Sequence, residues 1–470
     1  MTPRMNQMNL AEGEATFRLL KPTTKELREL VGLALPVAAV QVGMMLMGVV
    51  DTIMVGHFSA RDLAAVALGN LYFFTVIVFP MGLLMSLDPV VSQAVGAGDR
   101  PAVGRAFQRG GLLALGLSIP AGLALLPGAA LLTVLRQPAE VVPVAAGYAL
   151  ASIPGIFPFL AFIVLRQTLQ AMGRVAPIVI TIVLANVANL FFNWVLIFGN
   201  LGFPAMGAVG SGWASSLSRW LMLLGLLGFS WPLLKRYIRP LRAEAFRLRP
   251  LGRMIRLGAP IGIQFVLEFG AFGTIGILMG WLGTVAMAGH QVALNLASLT
   301  FMVPLGISQA AAVRVGQGVG REDASGARRA AGAGLLLGVS VMTLTAVIFL
   351  LFPEGLALIY TDQAEVVALA ALLIPLAGVF QIFDGLQVVS SGVLRGVGDT
   401  RSPMIVNLLG FWCLGMPVSA WLGFRTGLGP MGLWWGLVVG LGAVAVFLLF
   451  RIRAHMGTDL RRIVIDEEEY

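Results

Sequence analysis

Hydrophobic stretches of about twenty residues or more recur along this chain from Leu30 to Phe450, and they constrain its fold more than any other feature. Each stretch is long enough to cross a hydrocarbon layer about 30 Å thick as a helix that rises about 1.5 Å per residue. In lipid only helices and closed barrels satisfy every backbone hydrogen bond, and continuous rather than alternating apolar runs select helices. The sequence therefore predicts an all-α polytopic membrane protein.

Composition agrees with a lipid environment. Hydrophobic residues make up 58% of the chain and charged residues only 12%, whereas a soluble domain carries about 25% charged residues. The 58 glycines favour close packing of helices in the membrane. A water-soluble fold is excluded, and we predict twelve transmembrane helices over residues 31–55, 63–88, 110–135, 144–170, 176–200, 208–232, 257–280, 286–312, 332–352, 366–392, 403–423 and 429–450.

Basic residues indicate how these helices are oriented. Of the 32 Lys and Arg, three Arg lie in loops on one side of the membrane, and Arg166 and Arg219 lie within predicted helices. The other 27 lie on the opposite side, which both termini share. The positive-inside rule makes that side cytoplasmic. The net charge of +9 is thus a signature of topology rather than of nucleic-acid binding. Residues 1–28 lack the apolar core of a cleaved signal peptide.

The chain also repeats itself at a fixed offset between its two halves. This offset pairs Pro36 with Pro260, Pro80 with Pro304, Gln93 with Gln317, Asp99 with Asp323, and Arg105 with Arg329. Six helices per repeat give two lobes of the same orientation, related by an axis along the membrane normal. The repeat by itself could be only a folding unit, but parallel repeats around a midplane cavity are a common transporter design. We predict an N-terminal segment at residues 1–30, an N-lobe at 31–232 and a linker at 233–256. A C-lobe at 257–450 and a tail at 451–470 follow.

Acidic residues inside predicted helices are the sharpest functional signal, because an intramembrane charge costs at least about 2.5 kcal/mol unless it is paired or hydrated. Glu268 lies about three helical turns from Arg256, and Asp384 lies about three turns from Arg395, so both are near the midplane. Two such carboxylates suit exchange of a cation for a cationic substrate. The alternative is a buried acid that is protonated or paired with a base. Asp88, next to Pro89, is interpreted as a solvated helix end.

A second polar group is predicted in the N-lobe. Asn186, Asn189 and Asn193 lie on neighbouring turns of the fifth helix, at spacings that share one face. Asn189 and Asn193 have a depth similar to that of Asp51 in the first helix. Two amides and a carboxylate can bind a small cation or tune a protonatable acid. The alternative is that the asparagines only hold helices together.

Other residues have weaker signals. Phe265 and Phe272 lie close to Glu268 along the seventh helix and could face a lipophilic cation, although such rings usually face lipid or core. His290 is interpreted as a hydrogen-bonded structural residue. Arg219 either balances an acid or extends toward the interface.

Several enzyme classes are disfavoured by what the sequence lacks. The single cysteine, Cys413, allows neither an internal disulfide nor a cysteine metal cluster. No phosphate-binding loop or nucleophile elbow occurs, so direct ATP use is disfavoured. An intramembrane prenyltransferase would need clustered aspartates, and a flippase for lipid-linked precursors would need a cavity rich in arginine; only Arg166 and Arg219 lie within the predicted helices.

Three motifs resemble the multidrug and toxic compound extrusion (MATE) family, and specifically its NorM-like branch. They are VDTIMVGHFSARDLAAVALG at 50–69, FVLEFGAFG at 265–273 and FDGLQVVSSGVLRGVGDT at 383–400, and the resemblance runs from Leu33 through the twelfth helix. It implies a MATE/MOP-type fold of two pseudo-symmetric six-helix lobes. It also implies antiport of Na⁺ or H⁺ against lipophilic, often cationic drugs and dyes, by a monomer in the bacterial inner (plasma) membrane without a cofactor, an enzymatic reaction or a nucleic-acid partner.

The resemblance also assigns residues. It implies that Glu268 and Asp384 bind the cation in the C-lobe, and that Asp51, Asn189 and Asn193 form the polar site of the N-lobe. Phe301 stands where some relatives have a tyrosine near the cation, and with Phe265 and Phe272 it is expected in the substrate site. Asn193 stands where another branch has an aspartate. Because Glu268 and Asp384 are expected in one pocket, we favour Na⁺ over H⁺ as the coupling ion.

Overall fold

The structure, a computed structural model, describes residues 21–458 and 460–466. Within them, eleven helices are long and apolar enough to cross a membrane, and a pair bent by 51° forms a twelfth. The predicted all-α fold with twelve spans is confirmed. The helices are α1 Thr24–Gly56, α2 Ala60–Gly96, α3 Arg100–Leu125 with Gly128–Val134, α4 Val142–Ala171, α5 Ala176–Phe198, α6 Gly207–Ile238, α7 Leu248–Trp281, α8 Thr284–Gly320, α9 Ala324–Leu351, α10 Ala364–Val397, α11 Arg401–Arg425 and α12 Pro430–Met456.

Most of the predicted N-terminal segment at residues 1–30, and the last four residues of the predicted tail, lie outside the described residues.

Several helices extend beyond their predicted apolar windows. Helix α7 begins at Leu248 rather than at residue 257, and α8 continues to Gly320 rather than ending at 312. Hydropathy marks only the part of a helix that lies in hydrocarbon, whereas the helical hydrogen bonds continue into the basic flanks. Lys and Arg also have high intrinsic helix propensity.

The repeat is visible in local structure. Asp99 caps the start of α3 by accepting from the Ala102 backbone N–H at 3.0 Å. Its counterpart Asp323 caps α9 by accepting from the Gly326 backbone N–H at 2.8 Å. Two residues paired by the repeat therefore perform the same task, which is to satisfy a free N–H at the first turn of a helix.

Four of the described helices contain interruptions: α3 is bent after Leu125, α4 has a 3-10 turn at Ile153–Gly155, and α2 and α11 are also irregular. Helix α2 consists of the α-helical parts Ala60–Leu84 and Leu87–Gly96. In α11 the segment Leu408–Gly415 is π-helical, so one extra residue is accommodated before the α-helix resumes. Such turns alter the direction of neighbouring side chains.

The described chain divides into two compact units. The C-unit contains the chain up to Ala38, Ser92–Gly98 and Ile263–Val464, and the N-unit contains Ala39–Val91, Asp99–Gly262 and the tail from Ile465. The first part of α1 therefore packs with the C-unit, as the pairing of Glu26 with Arg314 at 2.9 Å illustrates. These units do not follow a simple division at the linker, and the lobe boundaries expected at 31–232 and 257–450 stay a prediction.

Each unit has its own apolar core. In the C-unit, Phe380, Phe411 and Trp434 belong to a buried cluster drawn from α7 to α12 and from Leu30 and Ala34 of α1. In the N-unit, a smaller cluster surrounds Tyr148 and Ala208. The polar groups described next are held by helices of these two cores.

Candidate functional site

The sequence of α5 positions two asparagines on its buried face. Asn189 and Asn193 have no exposed surface, whereas Val187 and Phe191 on the opposite face are 64% and 50% exposed. The spacing of four residues places both amides on one side of the helix. Helix α5 thus presents apolar side chains outward and a pair of amides to the interior of the N-unit.

These amides converge on the carboxylate of Asp51 in α1. Asn189 Nδ2 donates to Asp51 Oδ1 at 3.0 Å, and Asn193 Nδ2 donates to the same oxygen at 2.6 Å. Asn193 also donates to Asn189 Oδ1 at 3.2 Å. Asp51 is only 5% exposed. The structure therefore brings together the three N-lobe residues singled out from the sequence.

Helix α6 completes this group with two residues that the sequence analysis did not assign to it. Ser215 Oγ donates to Asp51 Oδ2 at 2.6 Å, so both carboxylate oxygens accept hydrogen bonds. Arg219, one turn later, lies over the Phe73 ring at 4.1 Å and interacts electrostatically with Asp51. Within the described chain Arg219 forms no ion pair with Asp51 within 4.0 Å, and whether it balances the acid stays a prediction. The run SSLSR resembles ordinary small-residue packing, and only its serine-to-arginine spacing of four residues hinted at a shared polar face.

Asn186 is not part of this group. Its side chain donates to the Gly43 backbone carbonyl at 2.9 Å and to the Ile182 carbonyl at 2.9 Å. It connects α5 to α1 without reaching Asp51. Asn186 therefore fits the role of holding helices together.

The second group lies in the C-unit around Glu268 of α7. Gln264, one turn earlier, donates from Nε2 to Glu268 Oε1 at 2.9 Å. Gln387 of α10 donates to the same oxygen at 2.8 Å. Glu268 is half-buried. Its carboxylate is held by neutral amides, and Arg395 acts on it only through its charge.

Further polar residues extend this group. Gln264 Nε2 also lies 3.4 Å from Ser391 Oγ, and Gln387 Nε2 lies 3.3 Å from Asn407 Oδ1. Asn407 comes directly before the π-helical segment of α11. None of these four residues was predicted from the sequence, although the four-residue spacing of Gln264 from Glu268 places both on one face of a helix.

Asp384 is the second acid of the C-unit. It is half-buried on α10, one turn before Gln387, and it is close enough to Glu268 for the two charges to repel. Among residues 21–458 and 460–466, no Lys or Arg forms an ion pair with Glu268 or Asp384 within 4.0 Å. Two neighbouring carboxylates of this kind attract a proton or a small cation. The same part of the chain contains no group of three or more His, Cys, Asp or Glu arranged for a metal ion.

The three phenylalanines expected near the substrate have different environments. Phe272 packs in the C-unit core, with its ring centroid 6.0 Å from that of Phe380 and 6.2 Å from that of Phe411. Phe265 and Phe301 are half-buried. A contact of any of the three with substrate stays a prediction.

Two interpretations from the sequence are wrong. Asp88 is not a solvated helix end, because it is only 2% exposed and interacts electrostatically with the buried Arg166. His290 is not hydrogen-bonded within the described residues, since neither ring nitrogen has a partner there. Its ring instead packs against Trp434 at 5.7 Å. Nearby residues in three dimensions, rather than the flanking sequence, determine both environments.

Comparison with known proteins finds a family model that matches the chain twice and relatives that align with most of its length. The MatE family model matches residues 36–195 and again residues 260–421, so the two matches begin at Pro36 and Pro260, which the repeat pairs. The multidrug resistance protein NorM of Photobacterium profundum is 36% identical over 443 residues, which cover 91% of this chain and 95% of that protein. The multidrug resistance protein MdtK of Edwardsiella ictaluri is 36% identical over 446 residues, with coverage of 91% and 95%.

Solved structures agree on the fold. A eukaryotic MATE transporter superposes with a TM-score of 0.84 at 24% identity, over 92% of this chain and 97% of that one. An outward-facing multidrug resistance MATE family transporter of the MOP superfamily superposes with a TM-score of 0.82 at 20% identity, over 93% and 99%. With its twelve helices, its doubled family match and these relatives, the chain belongs to the MatE family of multidrug and toxic compound extrusion transporters.

Proposed function

We propose that this protein is a secondary active multidrug efflux antiporter that exchanges Na⁺ or H⁺ for lipophilic, often cationic drugs and dyes. Membership of the MatE family and the similarity to NorM and MdtK support multidrug efflux. The observation that carries the exchange mechanism is the pair of half-buried acids, Glu268 and Asp384, held without an ion-paired base in the described chain.

The exchange follows from electrostatics. An unbalanced charge in a low dielectric is costly, so the pair favours states in which a positive partner is bound. Two like charges also favour protonation or binding of Na⁺ over two free carboxylates. A cationic drug and the coupling ion then compete for the same negative charge. Release of the drug is therefore coupled to arrival of the ion.

Asp51 is proposed as a second cation-responsive group. Its carboxylate accepts from Asn189, Asn193 and Ser215, all of them neutral donors. Hydrogen-bond donors stabilise the ionised carboxylate. A proton or Na⁺ that binds there would compete with these donors and rearrange the contacts between α1, α5 and α6.

The proposed cycle alternates access between two six-helix lobes, at residues 31–232 and 257–450, with both termini in the cytoplasm of a bacterial cell. Each elementary charge that moves inward under about 100 mV supplies about 2.3 kcal/mol, enough for roughly fiftyfold accumulation. One or two cations per cycle suffice. The proposal includes no cofactor, no catalytic step and no partner chain.

Substitution of the two acids tests this proposal. Glu268→Gln and Asp384→Asn remove the charge while keeping the shape, so we expect each variant to lose ion-driven export of a cationic dye from proteoliposomes. The matched controls are Glu365→Gln and Asp362→Asn, exposed acids at or near the start of α10, and we expect them to transport normally. Normal efflux by both Glu268→Gln and Asp384→Asn, at equal amounts of folded protein, would remove this pair from the mechanism.

A further inference from the structure

The N-unit contains a cavity that is lined by none of the residues placed in the groups around Asp51 and Glu268. Its volume is 310 Å³. It lies where the end of α4, the start of α5 and the end of α6 meet, and it is lined by Leu169, Arg174, Pro177, Phe229, Ser230, Pro232, Leu233 and Arg236. The efflux mechanism makes no use of these residues.

Two arginines stand at this cavity. Arg174 belongs to the short connection between α4 and α5, and Arg236 lies in the last turn of α6. Both side chains are exposed, and neither forms an ion pair with an acid in residues 21–458 and 460–466. Two guanidinium groups without a carboxylate partner are well suited to a phosphate, which accepts paired N–H donors.

The remaining lining residues have a different character. Leu169, Phe229 and Leu233 are apolar, and Phe229 is 51% exposed. Ser230 is only 3% exposed, yet its hydroxyl has no hydrogen-bond partner within the described chain. A buried hydroxyl that lines a cavity and has no partner in the described chain can donate a hydrogen bond to a ligand there. The cavity therefore has a positively charged part and an apolar part, which together match an amphipathic ligand.

The position along the helices identifies the source of such a ligand. Arg174 and Arg236 lie on the side where the basic loops of the chain cluster, next to Lys235 and the linker that follows α6. On the orientation proposed above, this is the level of the cytoplasmic lipid headgroups. Basic pockets between transmembrane helices at this level bind anionic headgroups.

We propose that this cavity is a binding site for an anionic phospholipid of the cytoplasmic leaflet. Arg174 and Arg236 hold the phosphate, and the Ser230 hydroxyl donates to a headgroup or ester oxygen. Leu169, Phe229 and Leu233 contact the first part of an acyl chain.

Native mass spectrometry of the whole chain in detergent tests the site. The protein is titrated separately with phosphatidylglycerol, with phosphatidylcholine of the same acyl chains, and with inorganic phosphate. We expect phosphatidylglycerol to bind the double variant Arg174→Gln/Arg236→Gln at least about tenfold more weakly than the unaltered protein. Ser230→Ala should weaken it by a smaller factor. Phosphatidylcholine should bind all forms equally weakly.

The matched control is Arg247→Gln/Arg249→Gln, which removes two exposed arginines from the same side of the N-unit but not from the cavity. It should bind phosphatidylglycerol as the unaltered protein does. An equal loss in both double variants would reduce the effect to general attraction and overturn the proposal. Equal affinity of the unaltered protein for phosphatidylglycerol and phosphatidylcholine would also overturn it. The same holds if inorganic phosphate saturates the protein without displacing any lipid. Because the readout is lipid binding, its failure would leave the proposed drug export untouched.

Discussion

At Asp51, three neutral donors from two helices bond one carboxylate, and its two oxygens accept different numbers of hydrogen bonds. Oδ1 accepts from Asn189 and Asn193, whereas Oδ2 accepts only from Ser215. The Asn193 carbonyl oxygen has no partner of its own in the described chain. Donors that favour a charged carboxylate should compete with any proton or ion that binds it.

Ser215→Ala should therefore change how the protein responds to its coupling ion. A hydrogen bond to a charged group contributes about 1.5–3 kcal/mol, so its loss should shift the ion concentration for half-maximal efflux by about tenfold or more. Dye efflux measured over a range of ion concentrations gives this shift. The control is Ser218→Ala on the same helix, since the Ser218 hydroxyl bonds only to the Ala214 carbonyl at 2.7 Å. Equal responses of the two variants would argue against a role for Ser215 at Asp51.

At the scale of elements, close contact between α11 and α12 depends on glycine. A Cβ atom at Gly436 would overlap the Ser419 backbone nitrogen, and one at Gly432 would overlap the Leu422 carbonyl. Without side chains between them the two backbones approach closely, which is how membrane helices gain packing energy when lipid supplies no hydrophobic drive.

Gly436→Ala should destabilise the C-unit. One methyl group against a backbone atom cannot be accommodated by a change of rotamer, so the helices must separate at a cost of about 1–3 kcal/mol. Thermal unfolding in detergent should show a lower midpoint. Gly442→Ala, in the same helix, is the control, because its Cβ would meet only the Phe383 ring at 3.8 Å. An unchanged midpoint for Gly436→Ala would show that the helix contact is not tight.

The tail is an element that the sequence analysis treated only as a cytoplasmic extension. Asp466 accepts from Arg105 Nε at 2.6 Å and from Arg109 Nη2 at 2.5 Å, both in α3. Burial alone would raise the pKa of Asp466, but the hydrogen bonds and charges of Arg109 and Arg105 outweigh it and hold that pKa below its usual value. Arg109 is only 1% exposed, and without the tail this buried arginine would lose its ion pair with Asp466.

Asp466→Asn should release the tail at neutral pH. Because the folded-state pKa is lowered, the stabilisation is present above the usual pKa of aspartate and is lost as the pH falls through the lowered value. A dye attached at the C-terminus should thus show reduced anisotropy in Asp466→Asn at neutral pH, and in the unaltered protein only in acid. Glu322→Gln, an exposed acid without an ion pair in the described chain, should leave the anisotropy unchanged. Equal anisotropy of Asp466→Asn and the unaltered protein at neutral pH would contradict the anchor.

At the scale of the whole molecule, the repeat is symmetric in its helices but not in its charges. In the N-unit, Arg166 of α4 donates to Gln41 of α1 at 2.5 Å. In the C-unit, Gln264 of α7 lies near Ser391 of α10. Later in the repeat, Gly173 to Pro177 (GRVAP) resembles Gly398 to Pro403 (GDTRSP), and the offset of Gly173 from Gly398, one residue longer than the offset of Pro36 from Pro260, pairs Arg166 with Ser391. The same pair of helices therefore meets at a base in one unit and beside the acid Glu268 in the other.

The paired acids Glu268 and Asp384 both lie in the C-unit, and their pairing bears on the identity of the coupling ion. Both half-buried carboxylates can supply oxygen ligands to one Na⁺, whereas one proton bonds to an oxygen of only one of them. We therefore expect an imposed Na⁺ gradient to drive dye export from proteoliposomes without a pH gradient. A pH gradient of equal driving force is the comparison. Export that follows only the pH gradient would reverse this assignment to H⁺.

The sequence alone determined the membrane fold, the number of helices and the repeat. Each depends on properties that are local or periodic along the chain, namely apolar length, loop charge and a fixed offset. It also singled out Asp51, Glu268 and Asp384, because charge within an apolar run stands out without knowledge of the neighbours.

Only the tertiary structure decided which polar groups surround these acids. Ser215 and Gln387 bond Asp51 and Glu268 from other helices, 164 and 119 residues away along the chain. The burial of Asp88 and the packing of His290 on Trp434 likewise depend on helices that meet in space. A small polar residue in a membrane helix has the same local pattern whether it packs or binds, so its partners are set by helix packing, which the periodicity of one helix does not encode.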